Sequence, residues 1–284
     1  MKGTPRQMVA TGSSRLGLIA GEGELTSCVA RNASAMGMQV VAISLTDRLD
    51  PAVEAVAARV HRVDLADALS IIPILRQEGV TQAVMIGKIW RADGFRRRVA
   101  GTVERVARGR RDRTDVQVLL GFVRRLEEAG ITIVSQLRYL GDAVPQEGIL
   151  GRRAPSLSEW EDIGLGVQAA RRVAATGIGQ AVAVRDRAVV AVEAVEGTDA
   201  MIRRAGRLAS GCVVVKVSWP DQDERFDVPA VGPGTIEVMR KAKARVLACE
   251  AGRTIMVRKR DTIALADAAG IAVVGVSRTR GGDS

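Results

Sequence analysis

The sequence contains a single histidine, His61, and only three cysteines, Cys28, Cys212 and Cys249. A metal centre built from clustered histidines is therefore excluded, and a Ser-His-Asp site would have to use His61. The cysteines are widely spaced, which excludes zinc knuckles and iron–sulfur motifs, and their odd number favours a reducing compartment. Any chemistry must come from carboxylates, lysine, arginine and backbone amides.

Aromatic residues are also scarce, at 2% of the chain, whereas apolar residues make up 47%. The core is therefore expected to consist of valine, alanine, leucine and isoleucine. No apolar run approaches the roughly 18 residues that a membrane span needs, and the N-terminal residues lack the apolar core of a signal peptide. These features predict a soluble, cytoplasmic protein.

Positive charge is abundant, with 42 Lys and Arg against 32 Asp and Glu and a net charge of +10, yet only six of these bases are lysines. The excess favours anionic partners such as nucleic acid, a phosphate-bearing substrate or the inner membrane surface. An arginine-rich composition without functional meaning explains it equally well. The densest basic stretch, residues 96–113, lacks aromatics for base stacking, so a solvated helix face is an equal alternative there.

The first half of the chain alternates short apolar runs with helical segments. Strands are predicted at 15–20, 39–44, 82–86 and 131–134, and helices at about 26–36, 66–77, 96–107 and 115–129. This alternation predicts an α/β fold, with a Rossmann-like, mostly parallel sheet over residues 15–143. Residues 1–14 are predicted to form a flexible tail.

The second half follows a different pattern. A turn-rich stretch, residues 144–155, is interpreted as the interdomain linker. Strands at 181–184 and 189–193 flank a short polar turn and predict an antiparallel hairpin. Further strands are predicted at 212–216, 271–275 and, as a pair, at 246–250 and 254–257, with helices at about 158–175, 199–208, 236–243 and 260–268. The pattern predicts a C-terminal α/β domain with a mixed sheet over residues 156–277 and a tail at 278–284.

Two glycine turns are the first candidate for a binding site. Gly21 and Gly23 follow the first strand, and Lys88 follows a glycine at the end of the 82–86 strand. Ligands of doubly wound sheets bind beyond the carboxyl ends of the strands, so both turns are expected to face one crevice. Thr26 replaces the third glycine of the dinucleotide fingerprint, and a purely structural turn is therefore an equal alternative.

The segment 193–199 is the second candidate. Glu193 and Glu196 precede a helix for which Thr198 or Asp199 is expected to be the N-cap. Arg203 is expected in the first turn of this helix, where a basic residue opposes the helix dipole and favours an anionic partner. A capped helix with solvated glutamates is the alternative.

The third candidate is the proline-rich loop after Lys216. Four acidic residues and two polar or basic ones crowd into it: Asp221, Gln222, Asp223, Glu224, Arg225 and Asp227. Carboxylate oxygens suit Mg²⁺, while lysine and arginine neutralise phosphate charge. A solvated acidic loop is the alternative, although long loops of mixed charge are more often functional.

Several segments occur together in one order: Leu16-Gly-Leu-Ile-Ala-Gly-Glu-Gly-Glu-Leu25, Gly87-Lys88, Gly179-Gln-Ala-Val-Ala-Val184, Ala191-Val-Glu-Ala-Val-Glu-Gly-Thr-Asp-Ala-Met-Ile-Arg-Arg-Ala-Gly206 and Gln222-Asp-x-Arg-Phe-Asp-Val-Pro229. From about residue 15 to 276, the chain resembles the LpxI-type UDP-2,3-diacylglucosamine pyrophosphatases of lipid A biosynthesis. The resemblance implies hydrolysis of the substrate diphosphate to UMP and 2,3-diacylglucosamine 1-phosphate. It also implies a divalent cation, Mg²⁺ or Mn²⁺, and two α/β domains that hold the substrate between them.

With this resemblance, the candidate site residues receive roles. The catalytic candidates are Asp223, Asp227, Lys216 and Arg225, with Asp223 as the first candidate to orient water; the substrate-binding candidates are Gly21, Gly23, Lys88, Gln180, Glu193, Thr198, Arg203 and Gln222; the metal candidates are Asp223, Glu196 and Asp199. The expected partners are the nucleotide-linked diacyl sugar and, peripherally, the anionic inner-membrane surface. Nucleic acid is not expected, and the oligomeric state is open, with a homodimer as one option.

Two positions depart from the family pattern. Gly177 stands where an aspartate is expected before Ile-Gly-Gln, and Trp219-Pro220-Asp221 stands where Lys-Pro-Gly is expected before Gln-Asp. These departures leave open a divergent substrate, reduced activity or a non-catalytic relative that binds a nucleotide-sugar or lipid. A nucleic-acid-binding protein is the remaining alternative.

Overall fold

The computed structural model describes residues 14–88 and 115–278. The chain divides into two compact units between Tyr139 and Leu140. The predicted helix at 96–107 and the basic stretch 96–113 lie outside the described residues, as do almost all residues of the two predicted tails. In the described part, no helix is both long and apolar enough to cross a bilayer.

The first unit is built around one sheet. Its strands are β1 (Arg15–Ala20), β2 (Gln39–Ser44), β3 (Arg59–Arg62), β4 (Gln82–Ile86) and β5 (Thr132–Ile133), and its described α-helices are α1 (Leu25–Ala35), α2 (Pro51–Glu54), α3 (Ile71–Gln77) and α4 (Asp115–Glu128). The order is β3-β2-β1-β4-β5, and all pairs are parallel. The predicted Rossmann-like sheet is confirmed. β3 was not predicted, because an edge strand with the sequence Arg-Val-His-Arg carries little apolar signal.

The second unit contains a larger sheet of mixed direction. Its elements are β6 (Gly148–Ile149), α5 (Leu157–Ala175), β7 (Ala181–Arg185), β8 (Ala188–Val192), α6 (Thr198–Leu208), β9 (Val213–Lys216), β10 (Ala230–Val231), α7 (Pro233–Lys241), β11 (Val246–Glu250), β12 (Ile255–Met256), α8 (Lys259–Ala268) and β13 (Ala272–Val276). The order is β6-β13-β11-β9-β7-β8, in which only the β13-β11-β9 pairs are parallel. The predicted hairpin and mixed sheet are therefore confirmed.

Helices cover both faces of this sheet, because its strands alternate their apolar side chains between two clusters. On one face, Val213 and Val215 pack against α5, where a Cβ added to Gly166 would lie only 2.5 Å from Val215 Cγ2. On the other face, Val214 and Leu247 pack with residues of α6, α7 and α8. Small aliphatic residues suffice for this close packing, in agreement with the scarcity of aromatics.

Two details differ from the sequence-based predictions. Residues 144–155, predicted as a linker, include β6, which pairs with β13 of the second unit. Two residues of strand carry no periodicity, so this pairing was not visible in the sequence. The predicted strand pair 246–250 and 254–257 is also wrong as a pair, since β11 lies between β9 and β13 while β12 pairs with β10.

Candidate active site

Polar side chains collect at one edge of the second sheet. β8, β9 and β11 end at this edge, and β7, which is antiparallel to β8 and β9, begins there. The register places Ala181 opposite Lys216, and Glu193 N donates to Ala181 O at 2.9 Å. Gln180, Glu193 and Lys216, which the sequence predicted separately, therefore lie together.

Lys216 is the centre of a buried hydrogen-bonded chain. Its side chain is only 7% exposed, and Nζ donates to Thr198 Oγ1 and to Ala230 O, each at 3.0 Å. Thr198 Oγ1 donates in turn to Glu193 Oε1 at 2.7 Å, and Glu193 Oε2 accepts from Gln180 N at 3.1 Å. An ammonium and a carboxylate are thus linked through one hydroxyl, away from bulk water.

This role for Thr198 replaces the predicted capping role. The N-cap of α6 is Gly197, with φ of 80°, and no side chain caps the helix. A backbone at this φ suits glycine, which turns the chain so that the Thr198 hydroxyl reaches Glu193 instead. Because α6 begins at Thr198, Arg203 lies in its second turn and is exposed, rather than in the first turn as predicted.

The surroundings of Lys216 shift its pKa in opposing directions. Burial lowers the pKa of Lys216, and the charges of Glu193 and Asp199 act to raise it. Cys249, paired with Lys216 across β9 and β11, has its thiol pKa raised to about 12 by burial. The thiol therefore stays neutral. An anion that approached Lys216 would favour the charged form of its amino group, with little water to screen the attraction.

The acidic loop contributes two unlike carboxylates. Arg225 binds Asp223 through Nε to Oδ1 at 2.8 Å and Nη2 to Oδ2 at 2.7 Å, and these hydrogen bonds lower the pKa of Asp223. Asp227 N donates to Asp223 O at 2.9 Å. Although Asp227 is exposed as a residue, desolvation of its carboxyl and the charge of Asp223 raise its pKa, against smaller opposing effects of Gln222 and Lys216.

A set of contacts that the sequence did not reveal holds the acidic loop in position. Glu250, 3% exposed at the end of β11, accepts a hydrogen bond from Ser218 N at 2.9 Å, and Ser218 Oγ donates to Arg253 O at 3.1 Å. Arg253 also pairs with Glu224 at 3.2 Å, and Ile255 N donates to Pro229 O at 2.8 Å. The segment 250–255 therefore contacts the loop at its start, middle and end. The only indication of these contacts in the sequence was a glutamate at the end of an apolar strand.

The remaining acidic candidates have other partners. Glu196 Oε1 accepts from Arg204 at 2.6 Å, which lowers the pKa of Glu196, and Oε2 accepts from Ala194 N at 3.1 Å. The negative charge of Asp199 acts to raise the pKa of Lys216. Among the described residues, no group of three His, Cys, Asp or Glu side chains is arranged to hold a metal ion. The three predicted metal ligands are therefore not brought together.

A smaller set of donors, the carboxylates of Asp223 and Asp227, does suit a cation. Asp223 and Asp227 are close enough for the charge of one to raise the pKa of the other, and a bound cation would relieve this repulsion. Mg²⁺ commonly binds through one or two carboxylates together with substrate phosphates. These two residues fit a cation that binds together with a diphosphate.

The first unit brings its two glycine turns together as predicted. Glu22 and Lys88 exchange backbone hydrogen bonds of 2.8 and 2.7 Å, and a Cβ added to Gly21 would lie 2.7 Å from Lys88 O. Gly21 thus permits close contact between two strand ends. A cavity of about 400 Å³ next to this turn is lined by Glu22, Thr46, Asp47 and Arg48, of which the last three were not predicted.

The two departures from the family pattern contact each other. Gly177 has φ of +73°, and a Cβ added to it would lie 3.3 Å from the Trp219 ring. Trp219 N donates to Gln222 Oε1 at 2.8 Å, which connects this contact to the acidic loop. The two substitutions form one local feature next to the candidate site.

Comparison with known proteins supports the family resemblance that the ordered sequence segments indicated. Residues 15–143 match the model of the LpxI N-terminal domain, and residues 146–274 match the model of the LpxI C-terminal domain. A protein of Caulobacter vibrioides, UDP-2,3-diacylglucosamine pyrophosphatase LpxI, is 30% identical over 280 residues, which cover 92% of this chain and 97% of the relative. The chain belongs to the LpxI family. The resemblance inferred from the motifs is confirmed.

Solved structures of other proteins match only weakly. The Bordetella bronchiseptica enzyme WbmG in complex with NAD and UDP aligns over 44% of this chain and 37% of its own, at 15% identity and a TM-score of 0.31. The protein gox2253 aligns over 94% of this chain and 78% of its own, at 15% identity and a TM-score of 0.32. TM-scores and identities this low support no argument about the ligands of this chain.

Proposed function

We propose that this LpxI-family protein hydrolyses the diphosphate of UDP-2,3-diacylglucosamine to UMP and 2,3-diacylglucosamine 1-phosphate. The observation that carries the proposal is the buried Lys216–Thr198–Glu193 chain beside the Asp223 and Asp227 carboxylates at one sheet edge. The Caulobacter relative, which is named a UDP-2,3-diacylglucosamine pyrophosphatase, supports the same reaction. Water adds its hydroxyl to one phosphorus, and its second proton goes to the oxygen that leaves with the other phosphate.

Lys216 and Arg225 stabilise the negative charge of the diphosphate. Negative charge accumulates on the phosphate oxygens as the bridging P–O bond breaks, and fixed cations in a poorly hydrated site stabilise this charge strongly. Lys216 is held in place by Thr198 and Ala230 O before substrate binds. Arg225 is held by Asp223, so both cations are positioned in advance.

Asp223 orients the attacking water. Its two hydrogen bonds from Arg225 keep it ionised and fix its orientation, and a carboxylate in this state accepts a hydrogen bond from water. Asp223 and Asp227 together are the donors proposed for Mg²⁺ or Mn²⁺, in place of Glu196 and Asp199. A cation there would neutralise phosphate charge when bound.

We propose that the protein acts as a peripheral protein at the cytoplasmic face of the inner membrane, because its substrate is a lipid. The net charge of +10 supports attraction to anionic headgroups. Homodimer formation stays a prediction that light scattering on the purified protein would test.

The test is release of UMP from UDP-2,3-diacylglucosamine by the purified protein, with and without Mg²⁺. We expect turnover that chelation removes, and a loss of at least about a hundredfold in Asp223→Asn. Asp221→Asn is the matched control, because Asp221 is an exposed carboxylate in the same loop. Near-normal turnover in Asp223→Asn would contradict the assignment.

A non-catalytic relative is the second candidate, favoured by the Gly177–Trp219 contact that departs from the family pattern. Tight binding of the same substrate without release of UMP in Mg²⁺ would support it.

A further inference from the structure

The acidic loop begins with a tight turn, residues 219–222, that leads directly into Asp223. Gln222 N donates to Trp219 O at 3.2 Å, and Trp219 N donates to Gln222 Oε1 at 2.8 Å, so a backbone and a side-chain hydrogen bond close the same turn. Pro220, at the second position, restricts φ to the value that such turns need. The position of Asp223 therefore depends on where this turn is held.

The half-buried ring of Trp219 attaches this turn to the C-terminal end of α5. Gly177 follows that helix, its N donates to Ala174 O at 3.0 Å, and its φ of +73° lies in the left-handed region. A Cβ added to Gly177 would lie 3.3 Å from Cζ3 and 3.9 Å from Cη2 of Trp219. The six-membered part of the indole therefore lies against the glycine, in space that a longer side chain would need.

Backbone contacts hold the chain just before the turn. Val217 N donates to Gln180 O at 2.9 Å, and Ser218 N donates to Glu250 Oε2 at 2.9 Å. These bonds fix the chain as far as Ser218, and the contact of the Trp219 ring extends the attachment into the turn itself.

Hydrogen bonds connect the turn to both candidate carboxylates. Asp227 N donates to Asp223 O at 2.9 Å, and Arg225 N donates to Asp223 Oδ1 at 3.1 Å. Burial and the charge of Asp223 raise the pKa of Asp227, while hydrogen bonding by the Gln222 side chain acts to lower it. Gln222 thus lies between the backbone amide of Trp219 and the carboxyl group of Asp227.

We infer that Trp219 is a positioning residue for the diphosphate site and acts through its contact with Gly177, an inference that rests on the proposed function. The ring holds the turn, the turn sets the position of Asp223, and Gln222 extends the effect to Asp227. A small displacement of a group that acts in the transition state lowers the rate strongly. Trp219 therefore affects kcat more than substrate binding.

The two members of this contact are also the two departures from the family pattern. That pattern expects an aspartate at the position of Gly177 and a lysine at the position of Trp219, and these positions touch in this chain. An apolar contact thus stands where two side chains of opposite charge would face each other. The paired departures replace one attachment of the loop by another, so they keep the acidic loop in position.

The first test measures UMP release and thermal unfolding in variants of Trp219. Trp219→Ala is expected to lower kcat about tenfold or more and to change KM less than about twofold, because the turn loses its attachment while the binding groups remain. Trp219→Phe keeps an apolar ring and should recover at least about threefold of the lost kcat. A lower unfolding temperature in Trp219→Ala with unchanged kcat would show a purely structural role and overturn the inference.

Trp160→Ala is the matched control. Trp160 is a partly exposed tryptophan in the first turns of α5, the helix whose other end contacts Trp219. Its removal deletes an indole of similar exposure without affecting the acidic loop, so kcat and KM should both stay within about twofold of the natural chain.

The second test is a double-mutant cycle on the contact itself. Gly177→Asp alone places a carboxylate against the indole, and Trp219→Lys alone removes the ring, so each is expected to lower kcat severalfold. In the double variant the introduced opposite charges can pair, and its kcat should exceed the product of the two single effects by at least about threefold. Strictly multiplicative losses would show that the two positions do not act together and would overturn the inference.

Hydrogen exchange distinguishes failure of this inference from failure of the proposed hydrolysis. The amides of Gln222 and Asp227, which donate to Trp219 O and Asp223 O, should exchange at least about tenfold faster in Trp219→Ala and at the natural rate in Trp160→Ala. If the natural chain releases no UMP, the proposed hydrolysis fails, and exchange at these two amides still decides whether Trp219 holds the loop. Unchanged exchange at both amides refutes the inference. Trp219→Phe and the double-mutant cycle decide in the same way if Trp219→Ala does not fold.

Discussion

At the scale of single residues, the candidate site depends on how Lys216 is held. Its amino group is buried, and within the described part of the chain it donates hydrogen bonds to Thr198 Oγ1 and Ala230 O. Glu193, which is linked to Lys216 through the Thr198 hydroxyl, provides the strongest of the charges that raise the pKa of Lys216. A lysine in this position is poorly hydrated, so a phosphate gains more from it than from a surface lysine.

Lys216→Met is expected to lower kcat/KM by about a hundredfold or more, since one fixed cation is removed from the phosphate site. Lys216→Arg should not restore activity, because a planar guanidinium cannot occupy the same buried position. UMP-release kinetics on folded variants, checked by thermal unfolding, measure the effect. Lys241→Met, on α7 away from this edge, is the control. Full activity in Lys216→Met would remove Lys216 from the mechanism.

At the scale of elements, the acidic loop has its position set by the end of a neighbouring strand. Glu250 fixes the loop start at Ser218, and Arg253 contacts Glu224 in its middle. Among the described residues, Glu250 contacts Ser218 N and Arg171, and neither is assigned to the diphosphate, so we regard Glu250 as a positioning residue.

Glu250→Ala is expected to lower kcat about tenfold or more, because small displacements of reacting groups reduce rates strongly. Glu250→Gln should retain most of the activity, since its amide oxygen still accepts from Ser218 N. Hydrogen exchange of residues 218–229 should rise only in the alanine variant. Loss of thermal stability in Glu250→Ala with unchanged kcat would instead indicate a purely structural role.

The start of α5 is stabilised by one buried carboxylate. Glu159 accepts from Arg153 Nη2 at 2.7 Å on both oxygens and from Ser156 N at 2.8 Å, in a capping box with Ser156. Burial acts to raise the pKa of Glu159, but the hydrogen bonds from Arg153 and Ser156 outweigh it, so the pKa lies below the ordinary 4.5.

Glu159→Gln is therefore expected to lower the free energy of unfolding by about 2 kcal/mol at neutral pH. A lowered folded-state pKa contributes stability above the unfolded value of 4.5, and this contribution is lost as the pH falls through the folded value. The difference between the variant and the natural chain in urea unfolding should shrink accordingly below pH 4.5. Glu161→Gln, an exposed position on the same helix, should show little effect at either pH.

At the scale of the whole molecule, the net charge of +10 predicts attraction to anionic membranes. The protein is expected to sediment with vesicles that contain phosphatidylglycerol at low salt and not with purely zwitterionic vesicles. Raising the salt to about 1 M, where the Debye length is about 3 Å, should release it. Equal binding to both kinds of vesicle would show that the charge does not direct association. A shift of RNA at physiological salt would favour the nucleic-acid alternative instead.

Much of the fold could be predicted from the chain alone. The two sheets, the antiparallel hairpin and most helices follow from apolar periodicity, which is strong in long buried segments such as β1 and α5. β3 and β6 were missed because short edge strands contain too few apolar residues to show a period. The pairing of β12 with β10 was missed because partner choice depends on contacts distant in sequence.

The sequence by itself determined the family, the α/β class and the residue types available to the site, because these depend on composition, order and local spacing. Only the tertiary structure decided which of those residues act together. It joined Lys216 to Glu193 through Thr198, paired Asp223 with Arg225, and paired Glu196, one of the predicted metal ligands, with Arg204. It also placed Gly177 against Trp219. Hydrogen-bond partners are chosen by strand register and loop geometry, which residue order alone does not specify.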